Sequence, residues 1–293
     1  MTSRAPGASA FAAAKVNLFL HVGPLGADGY HPIASLFVFA DIGDRLSLGA
    51  GASGRLTIEG QFGTGLSAGA DNLVARAREA LSPGMATDLV LVKALPLAAG
   101  IGGGSADAAA TVRLLNPLLP RPHADDALLA IAADLGADVA ACLESRAVIA
   151  MGRGEQLSPA PRLPELHAVL ANPGVESPTG PVFRAFDAAE SQVAAACPAM
   201  PAAFATPREV ADLIDRTRND LEAPATGLTP SIGEALDALR GAPETLAARM
   251  SGSGATSFAL CRDAAQAKVL AGRLAAAHPR WWVRACRLGG PWT

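Results

Sequence analysis

The segment at residues 96–110, PLAAGIGGGSADAAA, constrains the fold of this chain more than any other stretch. Four of its glycines fall within five positions, Gly100, Gly102, Gly103 and Gly104, and an alanine run follows them. Glycine lets a backbone approach a ligand closely and adopt positive φ angles, at an entropic cost that needs a reason. Free amides in a loop that ends at a helix N-terminus bind anions, because the amides and the helix dipole both point outward. The segment therefore predicts a phosphate-binding loop.

This loop is predicted to lead into a helix over residues 108–115, which Ser105 or Asp107 can cap. A flexible linker is the alternative, but a linker is not expected to run directly into a strong helix former. The P-loop pattern is not met, because no Gly-Lys pair follows the glycines. A dinucleotide fold needs an acidic residue about 20 positions further on, where a strand ends. Asp125 and Asp126 have that spacing, but no strand is predicted to end there, so a phosphate site of different topology is the better interpretation.

The composition of the chain limits the kinds of molecule that it is expected to bind. The chain has 293 residues, half of them hydrophobic, which is enough for two packed domains or one large one. Its formal net charge of −3 leaves no broad basic surface for nucleic acid and no polybasic patch for a membrane. No window of about 18 apolar residues is free of charge, so no membrane-spanning helix is predicted. We expect a small-molecule substrate, with no nucleic-acid and no membrane partner.

The cysteines indicate a reduced compartment. They lie far apart, without a CxxC pair, at Cys142, Cys197, Cys261 and Cys286. Nearby histidines complete no zinc spacing, so no metal site is assigned to the side chains. The apolar stretch at residues 5–14 resembles a weak signal peptide, but Lys15 and Asn17 interrupt it. A cytoplasmic location with buried or incidental thiols is therefore expected.

The order of predicted elements indicates an α+β chain with two lobes. Strands are predicted at residues 15–22, 36–42, 45–48, 55–59, 88–94, 147–151, 167–171, 247–250, 257–261 and 282–287. Longer helices are predicted at residues 72–81, 125–135, 181–189, 208–217, 231–239 and 264–277, with a short one within 136–144. Asp71 is the predicted cap of the first. A proline-containing loop at residues 152–163 is the candidate boundary, which gives domains 1–158 and 159–293.

Several polar residues stand in positions that suit chemistry. Lys15 lies inside an apolar strand, where it is either an edge lysine with its ammonium in water or a cation that faces a phosphate or carboxylate. Asp138 follows a helix end and is either a plain N-cap or a catalytic carboxylate. Tyr30 and His31 follow a turn and suit either a surface or a binding site. Residues 251–254, SGSG, form a weak second candidate for an anion loop.

Taken together, these stretches resemble the GHMP small-molecule kinases. The matching segments lie in the family's order between residues 14 and 255: AKVNLFLHV, ADGYH, LFVFADIGD, DNLV, PLAAGIGGGSADAA, LGADV, GRGE, NPGVESPT, NDLE and MSGSGA. The resemblance implies a two-lobed fold, with an N-terminal domain like ribosomal protein S5 and a C-terminal ferredoxin-like α+β domain. AKVNLFL together with DGYH is similar to the branch that phosphorylates a cytidine diphosphate methylerythritol. A monomer or weak homodimer is expected.

The resemblance also implies the roles of individual residues. Catalysis would fall to Lys15 and Asp138, with Asp138 as the base for the substrate hydroxyl and Lys15 as the cation that orients it. ATP would accompany Mg²⁺, with Ser105 as a possible contact of the metal. ATP would bind to Asn72, Lys93, Pro96, Leu97, Ala98, Ala99, Gly100, Ile101, Gly102, Gly103, Gly104, Ser105 and Ala106. The cytidine substrate would contact Asn17, Tyr30, His31, Phe37, Thr179 and Phe183.

Four positions depart from the family pattern. Ala14 stands where proline is common, and Ala106 replaces a second serine of the loop. Ala140 and Ala141 stand where proline and an aromatic residue are usual, which predicts looser packing beneath Asp138. None of these changes removes an assigned catalytic group.

Two competing interpretations remain from the sequence. A sister GHMP kinase for mevalonate or homoserine is one of them, and the DGYH and LFVFAD segments argue against it. The other is a non-catalytic GHMP-fold protein that binds a ligand without phosphate transfer. The presence of both Lys15 and Asp138 argues against that one.

Overall fold

A computed structural model describes residues 8–188 and 193–293 of the chain. The strands are β1 Ser9–Val22, β2 Ile33–Leu48, β3 Leu56–Glu59, β4 Leu89–Val92, β5 Val148–Gly152, β6 Gln156–Pro159, β7 Leu166–Asn172, β8 Thr245–Met250, β9 Ser257–Cys261 and β10 Trp282–Gly289. The helices are α1 Leu73–Leu81, α2 Gly103–Leu115, α3 Asp125–Leu135, α4 Val139–Glu144, α5 Thr179–Asp187, α6 Pro207–Arg216, α7 Glu222–Leu228, α8 Pro230–Arg240 and α9 Ala264–Ala277. This order confirms the α+β class.

Strand β2 holds the two halves of the chain together. One of its edges pairs along almost its whole length with β1, in an antiparallel ladder. Its other edge has three partners in turn, which are β5, then β10, then β4. β10 belongs to the C-terminal half and pairs with β2 of the N-terminal half. The sheet of the C-terminal half therefore continues directly into that of the N-terminal half.

The C-terminal half has the βαββαβ arrangement that the family resemblance implied. Its four strands lie in the order β10-β7-β9-β8 and every neighbouring pair is antiparallel. Helices α5 to α8 separate β7 from β8, and α9 separates β9 from β10. In chain order these strands are the fourth, first, third and second, which is a ferredoxin-like sheet.

Helices α1 to α4 cover the N-terminal half. They pack on β1 and β2 over a buried cluster that includes Phe37, Phe39 and Leu46. Four alanines of α2 belong to this cluster: Ala106, Ala108, Ala109 and Ala110. Their small side chains let α2 approach the sheet closely, and this places its first residue, Gly103, near the junction of the two halves.

Two predicted details of the N-terminal half are wrong. We predicted a break in the strand at Gly43, but β2 continues through this residue. A Cβ at Gly43 would lie 2.2 Å from the carbonyl oxygen of Ala12, so only glycine lets β1 and β2 pass so closely here. The cap of α1 is Asn72 rather than Asp71. The Asn72 side chain accepts from the Val74 amide at 2.9 Å, whereas Asp71 accepts from the hydroxyl of a nearby serine.

The helix after the glycine loop begins earlier than predicted. It starts at Gly103, and Gly102 precedes it with a left-handed φ of 66°. Within the described residues, neither Ser105 nor Asp107 caps it, since both already lie inside the helix. The first-turn amides are therefore not occupied by a capping side chain.

Three more elements differ from the predictions. The predicted loop at residues 152–163 contains β6, which pairs with β5. Helix α7 was not predicted, and α5 begins at Thr179 rather than at residue 181. The predicted end of that helix, residue 189, lies outside the described residues. The boundary between residues 158 and 159 falls at the end of β6 and stays a prediction.

The N-terminal apolar stretch enters β1 at Ser9, while residues 5–7 lie outside the described part. No helix in that part is both long enough and apolar enough to cross a bilayer.

Candidate active site

A cavity of about 1160 Å³ opens between the two halves of the molecule. Its wall is built from β1, the turn after β1, the glycine loop, the start of α4 and the start of α5. All but two of the predicted site residues line it. The exceptions are Ile101 and Ala106, whose side chains are buried in the hydrophobic core. Those two positions can serve a ligand only through their backbone.

Lys15 and Asp138 form an ion pair in this cavity, with Lys15 Nζ 3.0 Å from Asp138 Oδ2. The Lys15 side chain is 6% exposed, so the alternative of an edge lysine with its ammonium in water is wrong. Its ammonium also donates to Asn17 Oδ1 at 3.0 Å and lies 4.3 Å from the centroid of the Phe37 ring.

Asp138 is the residue immediately before α4. It therefore occupies the N-cap position, but among the described residues its side chain accepts no capping hydrogen bond from that helix. The carboxylate is 31% exposed and lines the cavity. Helix α4 is held at its other end by the partly buried Arg113 of α2, which donates to the carbonyls of Cys142 and Leu143. This contact secures a helix whose own side chains, Ala140 and Ala141, are small.

The glycine loop passes directly under this pair. The Lys15 amide donates to the Ile101 carbonyl at 2.9 Å, and a Cβ on Gly102 would lie 3.2 Å from Lys15 Cβ. The loop also contains positive φ angles at Ala98 and Gly100, which turn the backbone sharply. A chain of amides that ends at the first turn of α2 therefore lies beside a buried ammonium and an accessible carboxylate.

The predicted nucleotide side contains Asn72 and Lys93. Asn72 lines the cavity and donates to the Ser67 carbonyl at 2.7 Å. Lys93 is almost completely buried in the cavity wall, and its ammonium contacts the carboxylates of Asp44 and Asp107, the latter at 2.7 Å. Burial favours the neutral amine, but the two carboxylates outweigh it and raise the pKa of Lys93.

The predicted pyrimidine side contains His31 and Phe183 in ring contact, with centroids 5.1 Å apart. His31 Nδ1 donates to the Gly23 carbonyl at 2.9 Å, and Nε2 lies 3.2 Å from Asp187 Oδ1. Tyr30 is 54% exposed, and the Arg153 guanidinium lies 3.8 Å from its ring centroid. An exposed aromatic ring and a second aromatic ring that lines the same cavity suit a flat heterocycle.

Sequence reasoning gave no site role to five charged residues of the cavity wall: Asp71 and Asp107, considered only as helix caps, and Arg153, Arg184 and Asp187. Arg153 lies in the GRGE segment, which served above only as a family signature. Arg184 and Asp187 lie on α5, and no pattern in the sequence singled them out.

The arrangement supplies what phosphoryl transfer requires. Such a transfer depends on positioning and on stabilising charge at the transferred group, rather than on covalent chemistry by the protein. A loop of amides can hold phosphates, a carboxylate can accept a hydroxyl proton, and a buried ammonium can stabilise the charge between them.

Comparison with known proteins identifies the family. The profile described as GHMP kinases N terminal domain matches residues 72–146, and the one described as GHMP kinases C terminal matches residues 199–280. A relative from Caulobacter vibrioides, named 4-diphosphocytidyl-2-C-methyl-D-erythritol kinase, is 57% identical over 96% of this chain and 99% of its own length. The chain belongs to the 4-diphosphocytidyl-2-C-methyl-D-erythritol kinase family. It is an ATP-dependent kinase.

Solved structures agree with this assignment. The crystal structure of 4-(cytidine 5'-diphospho)-2C-methyl-D-erythritol kinase matches with a TM-score of 0.74 and 33% identity, over 97% of this chain and 100% of that one. The homoserine kinase from Cytophaga hutchinsonii, at 20% identity and a TM-score of 0.66 over 99% and 98% of the two chains, shares the fold alone. The family, the two-lobed GHMP kinase fold and the kinase activity that we predicted are thus confirmed.

Proposed function

We propose that this kinase transfers the γ-phosphoryl group of ATP to the C2 hydroxyl of 4-diphosphocytidyl-2-C-methyl-D-erythritol, a step in the non-mevalonate route to isoprenoid precursors. The observation that carries the proposal is the ion pair between Lys15 and Asp138, which lies over the glycine loop in the cavity between the lobes. The name shared by the relatives supports the choice of substrate.

In this proposal Asp138 accepts the proton of the attacking hydroxyl. Its carboxylate is partly exposed to the cavity, so a hydroxyl can reach it, while the Lys15 ammonium at 3.0 Å fixes its orientation. Lys15 also stabilises the negative charge that spreads over the transferred phosphoryl group. Asn17 and Phe37 surround the ammonium and hold it in place.

The phosphates of ATP would lie along the amides of residues 96–106, at the start of α2. Asn72 would lie near the adenosine. Mg²⁺ prefers oxygen ligands and is held largely by the phosphates of its nucleotide, and Ser105, which lines the cavity near the start of α2, would be its contact in this chain. Bound there with ATP, the ion would neutralise phosphate charge.

The cytosine would lie against Tyr30, with the rings of Phe183 and His31 in the same cavity wall. Thr179, at the start of α5, lines the cavity between this region and the second glycine-rich segment. A cytoplasmic location, and a monomer or weak homodimer, stay predictions from the sequence. The four free thiols in the described part of the chain are consistent with a reduced compartment.

The test is a coupled ATP turnover assay on the wild-type protein and on Asp138→Asn, which keeps the side-chain shape but removes the base. We expect kcat to fall at least about 100-fold, because positioned general bases contribute about 10² to 10⁴ in rate. Asp134→Asn, on the exposed face of α3, is the matched control and should keep full activity. A loss below about tenfold in Asp138→Asn would sink the proposed role. Parallel assays with mevalonate and homoserine should show no turnover.

A further inference from the structure

The NDLE segment, residues 219–222, has no place in the site described so far. It connects α6 to α7, and none of its polar side chains lines the cavity. It lies beside the glycine-rich segment at residues 251–254, which we name the second loop. Leu20 in β1 pairs with Asn219 in a short parallel bridge, so the segment is also fixed to the strand that carries Lys15.

Asn219 is buried, with 7% of its surface exposed, and its amide is bonded on both sides. Its Nδ2 donates to the carbonyl oxygens of Met250 and Gly252, both at 2.8 Å. Its Oδ1 accepts from the Leu221 amide at 3.0 Å. An asparagine side chain has two donors and one acceptor oxygen, so all of its groups are used and its orientation is fixed.

Glu222 and Asp220 reinforce this arrangement. Glu222 Oε2 accepts from the Met250 amide at 3.1 Å, and Asp220 Oδ2 accepts from the Val22 amide at 2.7 Å. The segment is thus hydrogen-bonded to Met250 and Gly252, where the second loop begins, and to Val22 at the end of β1.

The second loop in turn touches the glycine loop at Gly100. The Ser251 hydroxyl donates to the Gly100 carbonyl at 3.0 Å and accepts from the Asn17 amide at 3.1 Å. The approach is close, because a Cβ on Gly252 would lie 2.8 Å from the Gly100 carbonyl oxygen. A displacement of the second loop would therefore be transmitted to the backbone of the glycine loop.

We propose that Asn219 is a positioning residue for ATP, which acts by holding the second loop against Gly100 and thereby setting the position of the phosphate-binding amides. This rests on the proposed function, in which the ATP phosphates lie on residues 96–106. Asn219 touches no substrate. Its effect on the reaction passes through Met250, Gly252 and Ser251.

The first experiment replaces Asn219 by Asp. The substitution keeps the acceptor for Leu221 but removes both donors, and it sets a carboxylate oxygen against two carbonyls. We expect the Kd for the non-hydrolysable analogue adenylyl imidodiphosphate, measured by calorimetry, to rise about tenfold or more, since small displacements of a binding loop cost this much. The KM for the cytidine substrate should change less than the Kd for the analogue, because Tyr30 and Phe183 lie on other elements, although Thr179 contacts Ser253 of the second loop at 3.0 Å.

Asn116→Asp is the matched control. Asn116 also bonds backbone groups through its amide, donating to and accepting from His123, but it lies at the far end of α2. Its substitution should lower the thermal midpoint without changing the Kd for the ATP analogue. A purely structural role for Asn219 would give the same result as this control: reduced stability and an unchanged Kd in the folded protein.

Ser251→Ala keeps the proposal testable if Asn219→Asp does not fold. It removes the hydroxyl that joins the second loop to Gly100, and we expect it to raise the Kd for the analogue about fivefold, consistent with the loss of one hydrogen bond. The double variant should bind about as weakly as Asn219→Asp alone, because both changes act on the same contact.

Three results would overturn the inference. They are an unchanged Kd in Asn219→Asp, an unchanged Kd in Ser251→Ala, or a double variant whose increase in Kd is the product of the increases in the two single variants. Failure of the proposed function looks different. In that case the wild-type protein itself would not bind the analogue, or would bind it equally well after Gly102→Val in the glycine loop.

Discussion

Lys15 and Lys93 are two buried lysines whose ammonium groups have different carboxylate partners. Both lie in apolar surroundings and both are buried. Lys15 has one carboxylate partner that remains open to the cavity, whereas Lys93 lies between two fully buried ones. Asp44 and Asp107 are 49 and 14 positions away from Lys93, on separate elements, and no local pattern relates them. The Lys93 ammonium is held by two buried carboxylates, whereas the carboxylate that pairs with Lys15 remains open to the cavity.

Asp107 gives stability a dependence on pH. Burial first, and then the neighbouring Asp44, raise the pKa of Asp107 from 3.8 to about 7, although Lys93 opposes the shift. Between about pH 4 and 7 the folded chain holds a proton that the unfolded chain has lost, so this group's stabilising contribution falls as pH rises through that window. The free energy of unfolding, measured with urea at pH 4.5 and 7.5, should fall less between these two pH values in Asp107→Asn than in the wild-type protein. The reason is that the asparagine side chain is neutral at both pH values. Equal losses in the two proteins would contradict this.

Tyr30 should affect binding more than chemistry. With its ring removed in Tyr30→Ala, we expect the KM for the cytidine substrate to rise by about two- to tenfold, since an aromatic stacking contact contributes about 0.5–1.5 kcal/mol. The KM for ATP should stay unchanged in the same steady-state assay. If kcat alone falls, the assignment of Tyr30 to the pyrimidine is incorrect.

At the scale of elements, alternation and spacing predicted most strands and helices but not their ends at the glycine loop. Helix α3 was predicted at its observed limits, because apolar spacing and Gly136 mark both ends locally. The start of α2 was missed, because the glycines at 103 and 104 are helical only where tertiary contacts hold them. The loop just before them is held by β1 at Ile101 and by the second loop at Gly100, and both partners lie far away in sequence.

A substitution at Gly100 tests whether contacts from distant segments of the chain shape the glycine loop. The φ of Gly100 is 70°, and a Cβ there would lie 2.3 Å from the carbonyl oxygen of Ser251. Gly100→Ala should therefore push the two loops apart and raise the KM for ATP by about tenfold or more. Gly84→Ala is the matched control, because Gly84 has a φ of 72° but its Cβ would meet nothing within 4 Å. It should lower stability by about 1–2 kcal/mol through backbone strain and leave the KM alone. Similar KM values in the two variants would argue against contact between the loops.

At the scale of the whole molecule, the two lobes share one sheet and one of the main hydrophobic clusters. Leu18 and Phe19 from β1 are buried together with Leu166 and Phe258 from the C-terminal half. β10 pairs with β2 at Phe39. The sequence could predict two lobes from the order of elements, but not that the last strand of the chain completes the first lobe.

We expect residues 1–158 alone to lack a cooperative thermal transition, because β2 would lose β10 and the shared cluster would be exposed. Circular dichroism of this fragment, beside the full chain, is the measurement. A sharp two-state melt of the fragment would show that the predicted boundary separates units that fold independently.

The backbone of the glycine loop accepts amide hydrogen bonds from residues widely separated in the chain. The Lys15 amide donates to the Ile101 carbonyl, the Ser177 amide to the Ala98 carbonyl, and the Thr256 amide to the Ala99 carbonyl. Two of these donors, Ser177 and Thr256, belong to the C-terminal half of the chain, whereas the loop itself, Lys15 and Asp138 all belong to the N-terminal half. During synthesis the chain must therefore be extended past residue 256 before the loop can have all three donors.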